Sequence, residues 1–426
     1  MIARLRGRYV LVGVSWAVGA FALAVFAASA LLSAASLRES LRWRLEIGRA
    51  RALDLYSGRS ETLPTAVGEF LPGQPIATAP ALVTSYEDSV APLLPAAAAT
   101  VLPTPSQPAY PILAPPQAVA LTGTKYERQG INNCGPATLA MALSYWGWQG
   151  DQTVISDVLK PATRDKNVRW DELVHYVQTQ AGWLDATFRV GGTADRVKLF
   201  VANGYPVILE TGYTVSEGWV GHYLLITGYD DAAGTWIVQD ATGGPDRAMP
   251  YVEVDRDWQQ FNRLFILVFP PADREKILFM LGPDADETAN RQRALDTAGA
   301  ETMRDRQNAF AWFNLGSNLN YFDRYAEAAE AFDQARTIGL PWRMLFYQFG
   351  PYRAYFNVGR YQDVFDLADA ALDARPDLEE SFFWRGWARY MLGDPNGAVE
   401  DFRSALELNP GFGDAKGALE SLGATP

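Results

Sequence analysis

The chain has 426 residues, a hydrophobic fraction of 48% and a net charge of −12, which fits a folded protein of two or three domains and offers no basic field for nucleic acid. Its single cysteine excludes an internal disulfide, and with only two histidines beside it no structural zinc site is expected. No metal or organic cofactor is expected.

Residues 9–36 carry no charge and are almost all apolar or small, long enough to cross a bilayer as a helix of roughly 20 residues. The length favours an uncleaved anchor (1–37) over a cleaved signal, for which AASALLSAAS would supply the cleavage region. Arginines flank both ends, so the positive-inside rule does not settle orientation. An extracytoplasmic location for the rest of the chain is the expectation, or secretion if the segment is cleaved. Residues 38–118 read as a juxtamembrane helix followed by a spacer. Twelve of the 26 prolines fall within 59–118, which rules out a helix or central strand there.

Residues 119–271 are mixed. CGPATLAMALSYWGW predicts a helix with Pro136 in its first turn and Gly147 as its stop. Helices follow at about 151–160, 169–181 and 193–203. The apolar runs YPVILET, HYLLITGY, TWIVQD and RLFILVF predict strands, the middle two joined as a hairpin by DDAAG. Helices first and antiparallel strands afterwards define an α+β class.

The region 286–424 is helical and repeated. Trp312, Leu315, Gly316, Ala328, Phe332, Ala335 and Pro341 recur in register as Gly386, Ala398, Phe402, Ala405 and Pro410. A weaker copy between them holds Tyr352, Tyr355, Val364, Ala371 and Pro376. The prolines lie 35 and 34 residues apart. This pattern resembles tetratricopeptide repeats, an all-α solenoid whose small residues let paired helices approach closely. The middle copy lacks the small residue at the glycine position. The resemblance implies a protein partner or substrate for the repeats.

The lone thiol, Cys134, stands at the start of the predicted helix 134–147. Helix-start amides and dipole favour a thiolate, the form in which sulfur is a nucleophile. A base must take its proton, and His222 opens a strand just after a glycine, where a cleft would be. His175 sits mid-helix, where a half-exposed surface histidine is the plainer reading. Asp240 closes the partner strand, and the hairpin returns it to the level of His222, within reach of one ring nitrogen. Gln129, five residues before the cysteine, could form an oxyanion site with the Cys134 backbone N–H. YPVILETGY and Trp219 precede His222 as candidate cleft lining, and Trp219 reads equally as a packing residue.

The runs Q-G-I-N-N-C-G-P-A, G-H-Y-L-L-I-T-G-Y-D-D and V-Q-D resemble papain-like cysteine peptidases related to the double-glycine leader peptidases that process bacteriocin precursors. The resemblance covers about 125–269. It implies Cys134 as nucleophile, His222 as general base, Asp240 as orienting residue and Gln129 as oxyanion donor, acting on a peptide or protein substrate. Two departures stand out. The Gln-to-Cys spacing is one residue shorter than in the leader peptidases, and repeats replace the transporter, so the bacteriocin substrate is not carried over. Thiol acyl transfer and cell-wall peptide hydrolysis use the same intermediate. An inactive peptide-binding module on a repeat scaffold is the reading from a different class.

Overall fold

The structure is a computed structural model and describes residues 62–66, 111–160, 168–215 and 218–426. The expected membrane span, the juxtamembrane helix and most of the spacer lie outside the described residues. Among the described residues, no helix is long and apolar enough to cross a membrane.

A seven-stranded sheet forms the centre of the first half. Its strands are β1 (Ala118–Ala120), β2 (Asp185–Arg189), β3 (Val207–Val215), β4 (Gly218–Asp230), β5 (Thr235–Asp240), β6 (Gly244–Pro250) and β7 (Phe265–Phe269). They run in the order β2-β7-β3-β4-β5-β6, with β1 also paired to β4, and every pairing is antiparallel. Helices α1 (Cys134–Tyr145), α2 (Gln152–Leu159), α3 (Trp170–Gln180), α4 (Ala194–Ala202), α5 (Tyr251–Gln259) and α6 (Arg274–Leu281) surround it.

Side-chain alternation along the strands separates two apolar layers. Ile208, Tyr223, Leu225 and Ile266 bury against α1 and α3, while Val207, Leu209, Leu224 and Leu267 bury against α4 and α6. Helix α1 is buried from Gly135 to Leu143, so it is apolar all round rather than striped. The four strands expected from the apolar runs are β3, β4, β5 and β7, and the expected helices are α1 to α4. Strands β2 and β6 were not expected, since their DATFR and GPDRAMP lack the apolar β-branched character of strands. Pairing with a neighbour already in place overrides their weak propensity.

Helix α7 (Glu287–Arg304) leads into the helix pairs α8 (Ala309–Tyr321) with α9 (Tyr325–Ile338), α10 (Gly350–Asn357) with α11 (Tyr361–Ala374), and α12 (Glu379–Met391) with α13 (Pro395–Leu408); α14 (Gly413–Ser421) closes the array. Gly316 and Gly386 are required for close approach, since a Cβ at either would meet the ring of Phe332 or Phe402 at 2.8 Å. In the middle pair Tyr352 takes the glycine position and is fully buried. Its helix α10 spans only eight residues, and a 3-10 turn at Trp342–Phe346 precedes it.

Part of the expected spacer is not a spacer. Leu63 is buried, its N–H donates to Leu340 O at 2.8 Å, and Arg336 Nε donates to Pro64 O at 2.7 Å. Residues 62–66 thus pack onto the repeats, because Leu63 has an apolar seat there. At the other end of that stretch, Ile112 packs against the sheet's apolar layer, and Tyr229 Oη donates to Pro116 O at 2.9 Å.

The two halves share a core. Trp219 and Phe261 of the first half are buried with Phe313, Leu340 and Met344 of the second. The amides of Asn262 and Asn318 exchange hydrogen bonds at 2.9 and 3.2 Å, and Gln348 Nε2 donates to Gln260 O at 3.1 Å.

Candidate active site

Cys134 is the first residue of α1, and the loop before it is tightly held. Asn132 adopts the left-handed region (φ 52°), which asparagine tolerates better than most residues. Asn133 caps the helix through its backbone, its carbonyl accepting from Ala137 N at 2.9 Å. Lys160 Nζ donates to Asn132 O at 2.8 Å. Gln152, at the start of α2, ties the loop together. Its Oε1 accepts from Gly130 N (2.7 Å) and Asn133 Nδ2 (2.9 Å), and its Nε2 donates to Arg128 O (2.7 Å) and Glu127 Oε1 (2.8 Å). Gly135 lets α1 begin against the sheet, since a Cβ there would stand 3.3 Å from the Tyr223 ring. Thr138 Oγ1 donates to Tyr223 O at 3.2 Å. These contacts deliver the thiol to the level of His222.

His222 and Asp240 are positioned by strand register. Gln239 lies opposite Leu225, so Asp240 comes level with Leu224, two residues along the same strand from His222. Diagonal neighbours of this kind are about 7–8 Å apart and within reach of long side chains. His222 Nε2 and Asp240 Oδ1 are 2.9 Å apart, both residues buried. Thr242 N donates to the same oxygen at 2.8 Å, and Arg247 Nη1 pairs with Oδ2. On the strand side, Thr211 Oγ1 donates to His222 O at 2.9 Å and the Tyr213 ring meets the imidazole edge-on at 5.8 Å. With Nε2 committed to Asp240, Nδ1 is the nitrogen left for the thiol.

The electrostatics follow from this arrangement. Burial pushes the half-buried Cys134 thiol up, but its interaction with the His222 ring and charge, the Tyr223 backbone and Lys160 outweigh it, and the net direction is down. Burial pushes His222 down, whereas Asp240 and Cys134 raise it more, to about 9. Burial lifts Asp240, but His222 and the backbone amides of Gly243 and Thr242 hold it below the carboxylate range. Both shifts favour a thiolate–imidazolium pair over the neutral thiol and imidazole.

Gln129 sits on the segment beside Asp240. Its N–H donates to Ala241 O at 3.0 Å, and its Oε1 accepts from Thr242 Oγ1 at 2.9 Å. Among the described residues Nε2 has no acceptor of its own, so both its hydrogens remain for a ligand. The Cys134 N–H, at the first helical position, likewise has no intrahelical partner.

His175 is exposed on α3, away from this cluster. Trp219 is a packing residue: 6% exposed, hydrogen-bonded through Nε1 to Gln260, and stacked on Phe261 at 5.8 Å. Gln152 and Arg247 escaped the sequence reading, because each reaches its partners through the fold and neither carries a local motif. Tyr347 also escaped it, although it comes from the repeats. A Cβ on Gly221 would be 3.0 Å from its ring, so this glycine is what lets the repeat domain approach the strand bearing His222.

Residues 119–266 match the family model described as "Peptidase_C39 like family", and residues 379–412 match "Tetratricopeptide repeat". The chain therefore carries a C39-like peptidase domain joined to tetratricopeptide repeats. No curated protein matches it. Among solved structures, the peptidase domain of Streptococcus ComA, a bifunctional ABC transporter of a quorum-sensing pathway, is similar at 14% identity, over 35% of this chain and 99% of that one, with a TM-score of 0.28. MamA from Desulfovibrio magneticus RS-1 is similar at 14% identity over 35% of this chain and 84% of that one, TM-score 0.30. The first repeat domain of Spaghetti (RPAP3), bound to an HSP90 peptide, is similar at 21% identity over 28% and 93%, TM-score 0.25. The class assignment rests on the family matches, not on these distant likenesses.

Proposed function

We propose that the chain is a cysteine peptidase, held at a membrane by residues 9–36, that hydrolyses peptide amides through Cys134, His222 and Asp240 with Gln129 as oxyanion donor. The observation that carries this reading is the buried 2.9 Å contact between His222 Nε2 and Asp240 Oδ1, beside a thiol whose ionisation is favoured. The Cys134 thiolate attacks the scissile carbonyl carbon, forming a C–S bond and moving the carbonyl π pair onto oxygen. Gln129 Nε2 and the Cys134 N–H stabilise that oxyanion. As it collapses, the C–N bond breaks and the amine takes the proton of the His222 imidazolium. A water then gives its proton to His222 and its oxygen attacks the thioester, and C–S cleavage restores the thiolate. The repeats supply a partner or substrate surface in this reading.

The test is the pH dependence of Cys134 alkylation in wild type and His222→Ala, alongside hydrolysis of a peptide library. An ordinary thiol near pKa 8.5 is only about 0.3% thiolate at pH 6. Fast alkylation at pH 6 that is lost in the variant is expected; a rate rising only above pH 8 in both would overturn the proposal. In the same cells, the full chain should stay in the membrane pellet after an alkaline wash. Release by that wash would remove the anchor from the reading.

A further inference from the structure

Between the sheet and the repeats lies a cavity of about 80 Å³, next to the candidate site and distinct from it. Glu210 and Tyr347 form part of its wall, and both lie close enough to Cys134 to feel a thiolate's charge. Arg291 of α7 also lines it. That residue is 6% exposed, and its Nε is fully buried with no hydrogen-bond partner. Among the described residues the Arg291 side chain makes no hydrogen bond and no ion pair. Its guanidinium lies over the rings of Tyr321 and Phe188, at 5.0 and 6.0 Å, and is near enough to Arg189 for the two like charges to repel. Cation–π contacts offset only a small part of the cost of burying an unpaired guanidinium, so an anionic group entering the cavity would be favoured there.

The other cations there are already engaged. Arg169 is held by Asp171 at 2.7 Å, and Arg353 faces Asp323 at 3.4 Å. The acidic groups on the wall do not reach Arg291. Asp171 is committed to Arg169, while burial lifts the Glu210 and Asp414 carboxyls, the former far above the carboxylate range. Three carboxyl groups around one guanidinium disfavour a dianion such as phosphate but tolerate a single negative charge. A planar guanidinium pairs two-pronged with a planar carboxylate, and a volume of about 80 Å³ suits an acidic side chain or a chain terminus better than a larger ligand.

We infer that this cavity is a carboxylate subsite, in which Arg291 receives an acidic group of a peptide lying beside Cys134. As a site for substrate it rests on the peptidase reading; as a carboxylate site it does not. The carboxylate comes from an acidic side chain or from a peptide C-terminus, and the test separates them.

The experiment follows the fluorescence of the full chain, since Trp170 and Trp384 line the cavity. Three probes are titrated: an acetylated and amidated tripeptide with a central glutamate, its glutamine counterpart, and the glutamine tripeptide with a free C-terminus. In wild type one of the two acids should bind about tenfold or more tighter than the neutral probe, and which acid does so identifies the source. Arg291→Met should abolish the difference and Arg291→Lys should restore part of it. Loss of an unpaired buried charge should leave the melting temperature of Arg291→Met equal or higher, which distinguishes binding from scaffolding. Equal binding of all three probes by wild type overturns the inference, as does inorganic phosphate displacing the acid more effectively than acetate. A lower melting temperature in Arg291→Met with unchanged probe binding overturns it as well. Acid-selective binding without any cleavage of library peptides supports the subsite and sinks the peptidase reading; cleavage with no acid preference does the reverse.

Discussion

At the scale of single residues, the charge state of the candidate site is set by competition between burial and partners. Burial alone would keep Cys134 protonated and His222 neutral, yet each is moved the other way by its neighbours. The sign of the pH dependence follows. The reactive form needs the thiolate, gained as pH rises through a cysteine value below the ordinary range, and the imidazolium, lost as pH rises through about 9. Hydrolysis should therefore begin to decline only near pH 9, measured as kcat/KM against pH. A decline beginning near pH 6.5, the ordinary histidine value, would mean that Asp240 and Cys134 do not hold the proton on His222.

At the scale of elements, the site depends on how α1 is launched. Four hydrogen bonds from the Gln152 side chain fix the loop from Glu127 to Asn133. Gln152→Ala should lower kcat/KM about ten- to a hundredfold, a loss of roughly 1–3 kcal/mol for freed polar groups, with the fold retained. Gln152→Glu should do no better, because its second carboxylate oxygen would face Glu127 where an amide now donates. Kinetics and melting curves on both variants decide it; wild-type kcat/KM in Gln152→Ala would show the loop holds itself. The helix start was legible in sequence, since Asn-Cys-Gly-Pro is a recognisable beginning. The clamp was not, because Gln152 and its partners lie 19–25 residues apart and meet only when α2 packs beside α1. The short strand β6 was hidden for a similar reason. Its sequence reads as a turn, yet it places Arg247 on Asp240.

At the scale of the whole molecule, the repeats are not an appendage. Trp219 and Phe261 are buried among repeat side chains, and the Asn262–Asn318 amide pair is sealed beneath them. A chain ended after residue 285 would expose these aromatic rings and leave buried amides unpaired. It should be insoluble or melt well below the full chain, by calorimetry or circular dichroism. An equally stable, soluble fragment would show that the joint adds nothing. Arg291 lies beyond that end of the chain and lines the cavity, so such a fragment, even if folded, should lose the acid preference inferred above.

By itself the sequence determined the α+β class, the four central strands, the repeat architecture and the residues Gln129, Cys134, His222 and Asp240 as candidates. Each of these is written locally, in strand alternation, helix-start chemistry, a repeat of 34–35 residues and a single thiol. Only the tertiary structure decided that Trp219 packs rather than lines a cleft and that residues 62–66 belong with the repeats. It alone decided that Tyr347 stands near the thiol and that an unpaired Arg291 lines the neighbouring cavity. These facts depend on which surfaces meet across long separations in the chain. Apolar burial, which drives that meeting, is non-directional and leaves no local motif to read.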